Sequence, residues 1–518
     1  MRRFVGAATI AALALALAAC APVAVSGWVP PDWPSAPYPV TTAPAPLDAA
    51  AVGGLRAERI RNDGVGIQAR WALASSQDAF NARMTAVVTD AIGARESDTG
   101  VAYSPQVFDQ GAGMADRTCV AGSTLRPAAE ILADPALAPA GGSGTAIVCD
   151  VVAASGSYLG ERVRVVSGDA GTVTHDDATI VYAHLATDEV ATAEQLWIED
   201  AEVTLWEGIV AGLRRDAGSL SLATVAPPDE AQAAGIRTAL ASTVFAPDGA
   251  AVITIPAGFT APELAALGFP PTSEPMVLAV PTDTAASLLT PFGLAVSAAV
   301  GSAATFEAPA TVTTGFWPVD CTLVPCVAMT YDAGPSSLTP GILDDLAAHN
   351  AAATFFALGS RAAANVGTLQ RIVAEGSLVE NHSWSHPDLT TLTDAQIAAQ
   401  LGNTTTVLTR DSGQQVTVFR PPYGAYDDTV LEVAGMAAIL WDVDTEDWRQ
   451  PGDDVVIARA VGQPRPGSIV LQHDIQQTTA RTASAVYDGL ADRGFTLVNL
   501  RQLFGGQLPG GGVWRSTR

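Results

Sequence analysis

No lysine occurs among the 518 residues, so all 27 basic side chains are arginines, set against 53 acidic ones. A formal net charge of -26 argues against nucleic acid as a partner, because neutralising phosphates takes clustered cations that this chain lacks. The missing lysine itself reflects GC-rich coding and carries no functional meaning. Charge of either sign is sparse, at 15% of residues against 48% hydrophobic. That balance describes an exported protein with a solvated acidic surface and a sizeable core, and at roughly 150 residues per domain the length accommodates two or three domains. Histidine is scarce too, with six in the chain. Any cluster of them therefore carries weight.

Cysteine is limited to five positions, each with a distinct reading. Arg2 and Arg3 precede an apolar segment over residues 4–19, too short to span a bilayer and built like a secretory leader. The junction Leu17-Ala18-Ala19-Cys20 resembles a bacterial lipoprotein box, which implies lipidation of Cys20 and anchoring at the extracytoplasmic face of a membrane. The remaining four, Cys119, Cys149, Cys321 and Cys326, are expected as disulfides in an oxidising compartment. Proximity favours Cys119 with Cys149 and Cys321 with Cys326, although four cysteines allow three connectivities. No histidine stands near either pair, which argues against structural zinc.

Residues 20–52 are rich in Pro, Ala and Thr without apolar period and read as an extended tether, with Trp33 a linker aromatic. Residues 53–308 mix strand-like and helical stretches and read as an α+β accessory region of one or two subdomains. His175 and His184 lack metal-ligand spacing there. From about residue 316 the pattern changes: apolar runs at 326–330, 353–358, 378–380, 416–419, 438–441, 468–471 and 496–500 alternate with helical segments. Seven such runs predict an α/β domain with a parallel sheet, open or closed into a barrel. Residues 506–518 read as a C-terminal tail.

Polar clusters follow these runs, so in a closed barrel they share one face. Thr330-Tyr331-Asp332-Ala333-Gly334-Pro335 delivers a carboxylate from a buried strand into a loop. His382-Ser383-Trp384-Ser385-His386 spaces two imidazoles by four, placing both on one face of a helical turn and suiting a metal such as Zn²⁺. Phe419-Arg420-Pro421-Pro422-Tyr423-Gly424 joins a fixed cation to a stiff turn, able to aim a backbone N–H at a ligand. Asp444-Thr445-Glu446-Asp447-Trp448 sets carboxylates beside an aromatic wall, and Leu471-Gln472-His473-Asp474 puts a histidine at a strand end, suited to acid work once a carboxylate orients it.

In this order the five segments resemble the five motifs of the polysaccharide deacetylases, the NodB homology domain of carbohydrate esterase family four, over about residues 316–505. The resemblance implies a distorted (β/α)7 barrel that hydrolyses acetyl groups of cell-wall glycan, chitin or xylan with a divalent metal. It assigns Asp332 as general base, His382 and His386 as metal ligands, and Arg420 as the partner that keeps Asp332 ionised. The Tyr423 backbone N–H, after Pro422, becomes an oxyanion donor. His473 becomes the general acid, Asp447 its orienting carboxylate, and Trp448 with Leu471 the wall around the acetyl methyl. More weakly, Asp78-Ala79-Phe80-Asn81, Ile180-Val181-Tyr182 and Phe245-Ala246-Pro247-Asp248-Gly249 resemble a domain that precedes the catalytic domain in some peptidoglycan deacetylases and is related to the extracellular part of a lysozyme-sensing anti-sigma factor. That company is the motive for expecting a wall- or envelope-protein-binding role of the middle region.

One position departs from the pattern. The family's second consecutive aspartate, a metal ligand, is here Ala333, and a methyl group ligates nothing. Three outcomes remain open: metal held weakly with extra waters, a carboxylate such as Asp388 reaching in, or action with little or no metal. The expectation is a membrane-anchored deacetylase of acetylated cell-wall polysaccharide that uses a divalent metal, zinc, held more weakly because of Ala333, with retained hydrolysis and altered metal dependence. The alternative is a catalytically impaired carbohydrate-binding or envelope-sensing lipoprotein; chitin oligomers and O-acetylated xylan are the alternative substrates.

Overall fold

A computed structural model of the chain describes residues 38–517 apart from 218, 220–223 and 311. The leader expected over 1–19, the lipidation site Cys20 and Trp33 lie outside the described residues. Among the described residues no helix is long and apolar enough to cross a membrane.

The middle region builds two sheets. Six strands lie side by side in chain order: β1 (Leu55–Asn62), β2 (Ile67–Ala74), β3 (Gly144–Ser155), β4 (Tyr158–Asp169), β5 (Thr172–His184) and β6 (Glu189–Thr192). The β2–β3 pair is parallel and the rest antiparallel. Helix Asp78–Thr99 buries Phe80, Met84, Val88 and Ile92. Their spacing of four keeps them on one stripe. A second, antiparallel sheet joins β7 (Val244–Phe245), β8 (Ala251–Ile255) and β9 (Met276–Val280). The short segments singled out in this region are structural anchors. Asn81 bonds both the N–H and the carbonyl of Ala74 at 2.9 and 2.8 Å, and the buried Tyr182 donates to the Thr243 carbonyl at 2.9 Å. His184 is engaged with Thr187 at 2.8 Å and stacks on Tyr158.

Disulfides join Cys119 to Cys149 and Cys321 to Cys326. The expected tether needs correction. From Tyr38 onward the chain is docked, with the Tyr38 ring buried against Gly208, and with Val40 and Leu47 bridging Leu278 and Val151. A buried aromatic and backbone pairing outweigh the extended preference of a Pro/Ala-rich segment.

The C-terminal region is α/β, a parallel sheet curled into a half-barrel. Its strands are β10 (Cys326–Asp332), β11 (Thr354–Ala357), β12 (Leu378–Asn381), β13 (Val418–Phe419), β14 (Ala437–Ile439), β15 (Val443–Asp444), β16 (Ser468–His473), β17 (Thr496–Val498) and β18 (Val513–Trp514). They run in the order β15-β16-β10-β11-β12-β13-β14-β18, with β17 also paired to β10. The sheet has nine strands where seven runs were expected. The additions, β15 and β18, are two residues each. The expected tail is therefore corrected as well: β18 pairs with β14, and Ser516 bridges Ser468 at the start of β16, bringing the end of the strand path back towards its beginning.

Period-two alternation decides which way the first barrel strand points its side chains. Val327, Met329 and Tyr331 pack outward on the helices, where the Tyr331 and Tyr487 hydroxyls meet at 2.5 Å. Cys326 and Ala328 belong to the inner cluster, and the same parity carries Thr330 and Asp332 inward. This inner cluster is continuous with the middle region's core, running from Trp71 and Phe80 through Leu323 and Val324 to Val418, Ile439 and Ile469.

Candidate active site

Strand register brings the first and last motifs together: Asp332 at the end of β10 lies directly opposite His473 at the end of β16. Asp332 is almost wholly buried and Arg420 completely so. The guanidinium donates to Asp332 Oδ1 at 2.7 Å, to Thr330 Oγ1 at 2.8 Å, and to the carbonyls of Ile439 and Leu440 at 2.9 and 3.0 Å. It also lies over Phe356, 4.1 Å from the ring centre. A buried ion pair this fully hydrogen-bonded fixes both partners. Only Oδ2 of Asp332 is left facing the histidines, 3.7 Å from His382 Nε2.

His382 follows β12. Its Nδ1 donates to the Arg420 carbonyl at 2.8 Å, which fixes the tautomer and leaves the Nε2 lone pair bare. Burial lowers its pKa to about 4 against the pull of Asp332. His386 is lowered by burial too. The two neutral rings stand with centres 4.9 Å apart, and His386 meets the edge of Tyr423 at 4.7 Å. The backbone between them is not the helical turn that the spacing suggests: Ser383 and His386 both take φ of 66°. The imidazoles converge through left-handed corners.

At His473 burial disfavours the charged ring, but the hydrogen bond and charge of Asp447, with the charge of Asp332, outweigh it and raise the pKa. Asp447 is fully buried; its Oδ1 accepts from His473 Nδ1 at 2.8 Å and its Oδ2 from the His473 backbone at 2.7 Å and Thr479 Oγ1 at 2.5 Å. This leaves His473 Nε2 for the cavity. Behind it, burial pushes the Asp474 carboxyl up to about 7. Gly334 must lack a side chain, because a Cβ there would collide with that carboxylate.

A cavity of about 650 Å³ opens above these groups, lined by Asp332, Ala333, His382, His386, Tyr423, Trp448, Leu471 and His473. Leu471 is buried, whereas Trp448 is 48% and Tyr423 70% exposed. Pro422 is buried behind the wall and does not line it. Leu358, Arg361, Ser385, Trp441, Asp444, Ile475 and Gln476 complete the lining. Asp444 had been singled out by its motif; Arg361 had not, although it stands shortly after the run 353–358, where strand-end residues gather. Thr479 could not be found from sequence, since a helix brings it in from beyond the last motif.

Backbone strain gathers here. Ala333, Ser383, His386, Tyr423, Glu446 and Gln450 all have positive φ, six of the eleven such non-glycine residues among those described. Left-handed corners persist where surrounding structure over-determines them, and they concentrate at functional sites.

For a metal the donor set is one short. His382 and His386 present neutral imidazoles as a cation requires, but position 333 offers only a methyl, and Asp332 is committed to Arg420. Asp388 does not line the cavity; its Oδ1 caps the next turn through Thr390 at 3.1 and 2.7 Å. Among the described residues the one group of three or more close ligand atoms is Cys119, Cys149 and Glu161, and its two sulfurs are joined as a disulfide. The site does not provide the family's three-ligand set.

Residues 320–439 match the polysaccharide deacetylase family model. Over 183 residues the chain is 40% identical to the peptidoglycan-N-acetylglucosamine deacetylase PgdA of Listeria monocytogenes, covering 35% of this chain and 39% of that one. Over 178 residues it is 40% identical to the peptidoglycan-N-acetylmuramic acid deacetylase PdaC of Bacillus subtilis, covering 34% and 38%. To a chitooligosaccharide deacetylase of Sinorhizobium fredii it is 35% identical over 196 residues, covering 34% of this chain and 91% of that one. The chain belongs to the polysaccharide deacetylase family, whose members are metal-dependent in general. It spans about two-fifths of the length of the PgdA and PdaC relatives.

Proposed function

We propose that the protein hydrolyses acetyl groups, in particular N-acetyl groups of peptidoglycan, with altered metal dependence. The observation that carries this reading is the opposed pair on β10 and β16: Asp332, held beside a buried arginine, faces His473, whose ring a buried aspartate orients. Asp332 Oδ2 takes a proton from water, whose oxygen attacks the acetyl carbonyl carbon. The Tyr423 backbone N–H stabilises the resulting oxyanion, a donor of the kind worth roughly 3 kcal/mol. His473 Nε2–H protonates the nitrogen, the C–N bond breaks, and acetate and a free amine leave. Leu471 and Trp448 enclose the methyl. No step is routed through a metal, because the donor set for one is incomplete.

Acetate release from N-acetylated glycan strands tests this reading. Wild type is expected to release acetate and Asp332→Asn to lose at least about 100-fold in rate with its fold intact; no release by wild type under any metal condition would overturn it. Ala333→Asp, restoring the third ligand, is expected to tighten Zn²⁺ binding more than tenfold by titration, and unchanged affinity would refute the account of the missing ligand. The same alanine favours a second reading, in which the domain binds glycan without turnover. Asp332→Asn would then leave binding unchanged and there would be no activity to lose.

The leader and Cys20 support export and lipid anchoring at the extracytoplasmic face, with the wall within reach. Cys20→Ala is expected to move the protein from the membrane to the soluble fraction. The resemblance of the middle region to a domain that accompanies such catalytic domains supports a wall- or envelope-protein-binding role, for which a pull-down of wall fragments on the full chain is the direct measurement.

A further inference from the structure

The cavity's charges are already matched except at one place. Asp332 is paired with Arg420, His473 with Asp447, and Asp444 Oδ1 accepts from the Glu446 backbone at 2.8 Å. Ala333 removes the negative charge that a second aspartate would bring. What remains is Arg361, half-buried just after β11 on the cavity wall with Leu358 and Ser385. Arg371 and Arg459 of the same domain are engaged internally, Arg371 by Asp344 and Glu375, Arg459 by Glu446 and the Thr445 carbonyl. The Arg361 guanidinium makes no ion pair or side-chain hydrogen bond among the described residues. Its backbone, by contrast, is fixed, donating to the Leu358 carbonyl at 3.1 Å and accepting from Asn365 Nδ2 at 2.8 Å. Gly359, two residues earlier, is packed so closely on Trp384 and Thr404 that a side chain there would clash. A partly desolvated guanidinium on a fixed base, in a molecule of net charge -26, is a local attractor for an anion. Its planar fork suits a carboxylate.

We infer that Arg361 is a specificity-determining residue which pairs with a carboxylate carried by the acetylated glycan, either a lactyl ether on the reacting sugar or a uronic acid beside it. The inference rests on the reading of this cavity as a glycan deacetylase site. It separates anionic N-acetylated glycans from neutral chitin oligomers, which offer Arg361 no partner and leave it unpaired in the complex. Arg361 takes no part in proton transfer. Its removal raises the substrate concentration needed and leaves turnover at saturation alone.

The test is equilibrium binding of the full chain to N-acetylated glycan strands bearing lactyl carboxylates, to the same strands after chemical reduction of those carboxyls to alcohols, and to an N-acetylated glucuronate-containing polymer. Wild type is expected to bind one of the two carboxylate polymers about tenfold more tightly than the reduced strands. Arg361→Gln is expected to lose that preference and Arg361→Lys to retain part of it. Which polymer is preferred identifies the source of the carboxylate. Acetate release, measured in parallel, is expected to show a raised KM for Arg361→Gln on the carboxylate polymer, with kcat unchanged. Binding of both carboxylate polymers by wild type no tighter than that of the reduced strands, or a full preference retained in Arg361→Gln, would overturn the inference. Loss of acetate release alone, with the binding preference intact, would overturn the deacetylase reading and leave the recognition role standing.

Discussion

Asp447 does not line the cavity, yet four hydrogen bonds converge on it: two from His473, one from Thr479 and one from the Trp448 backbone at 2.9 Å. Such a carboxylate orients its imidazole and raises its affinity for a proton, which sets the pH range of an acid catalyst. The sign follows directly. The protonated ring is the active form, so the rate holds below the raised pKa of His473 and falls as pH rises through it. Asp447→Asn keeps the shape but removes the charge. It is expected to lower kcat/KM about 100-fold and to move the alkaline limb of the pH profile to lower pH. An unmoved limb would mean that His473 is not the acid. Asp332, Arg420, His473 and Asp447 were legible in the sequence because each ends or follows an apolar run. Thr330 and Thr479 were not: their hydroxyls serve the site only through tertiary approach, as does the Leu440 carbonyl.

At the level of elements, long buried runs were readable and short ones were not. β10 and β16 are continuous apolar strands, and the helix Asp394–Ser412 carries the capping box from Thr393 to Gln396 that its sequence announces. β18 is two residues following a glycine-rich stretch, too short for any period, and only its pairing creates it. Its place matters to the site. The Trp514 carbonyl accepts from the Leu440 N–H at 2.7 Å, and the Leu440 carbonyl in turn accepts from Arg420, the partner of Asp332. The Trp514 ring also meets Phe504 edge-on, centres 5.5 Å apart. Deleting residues 511–518 is therefore expected to cost about 2–4 kcal/mol in stability from lost hydrogen bonds and aromatic packing. Acetate release should fall with it. A truncated protein with unchanged melting temperature and activity would show that the β14 edge needs no cover. The histidine pair illustrates the opposite error: a spacing of four imitates a helix, while two left-handed corners make the actual turn.

Across the whole molecule, the sequence separated an accessory region from a barrel but gave no sign that they share a core. Arg117 reaches from the middle region to the carbonyls of Gly494 and Phe495 and to Thr496, and Tyr103 donates to the Leu323 carbonyl at 2.6 Å. Contacts between residues hundreds of positions apart have no local pattern to read. Three buried carboxyls spread over this joint fold make its stability depend on pH in one direction. Burial raises Glu161 and Glu380 to about 8 and Asp474 to about 7. Each has a folded pKa above its unfolded one, so its protonated form favours the native state. That contribution is complete below the unfolded carboxyl range and is lost as pH rises through the folded values. The aspartates held low by arginines, Asp134 and Asp411 among them, act in the opposite sense, but only in acid, where they protonate. His382 and His386, held neutral by burial, also act in the opposite sense, up to the ordinary imidazole range. Above it lies the window that matters: from about pH 6.5 to about pH 8 the urea midpoint of the full chain is expected to fall steadily. Glu380→Gln is expected to flatten that slope, because Gln keeps an acceptor for the Thr417 and Val418 N–H groups and nothing is left to ionise. A midpoint that rises across this range, or a slope untouched by the substitution, would show that these carboxyls are ionised in the native protein.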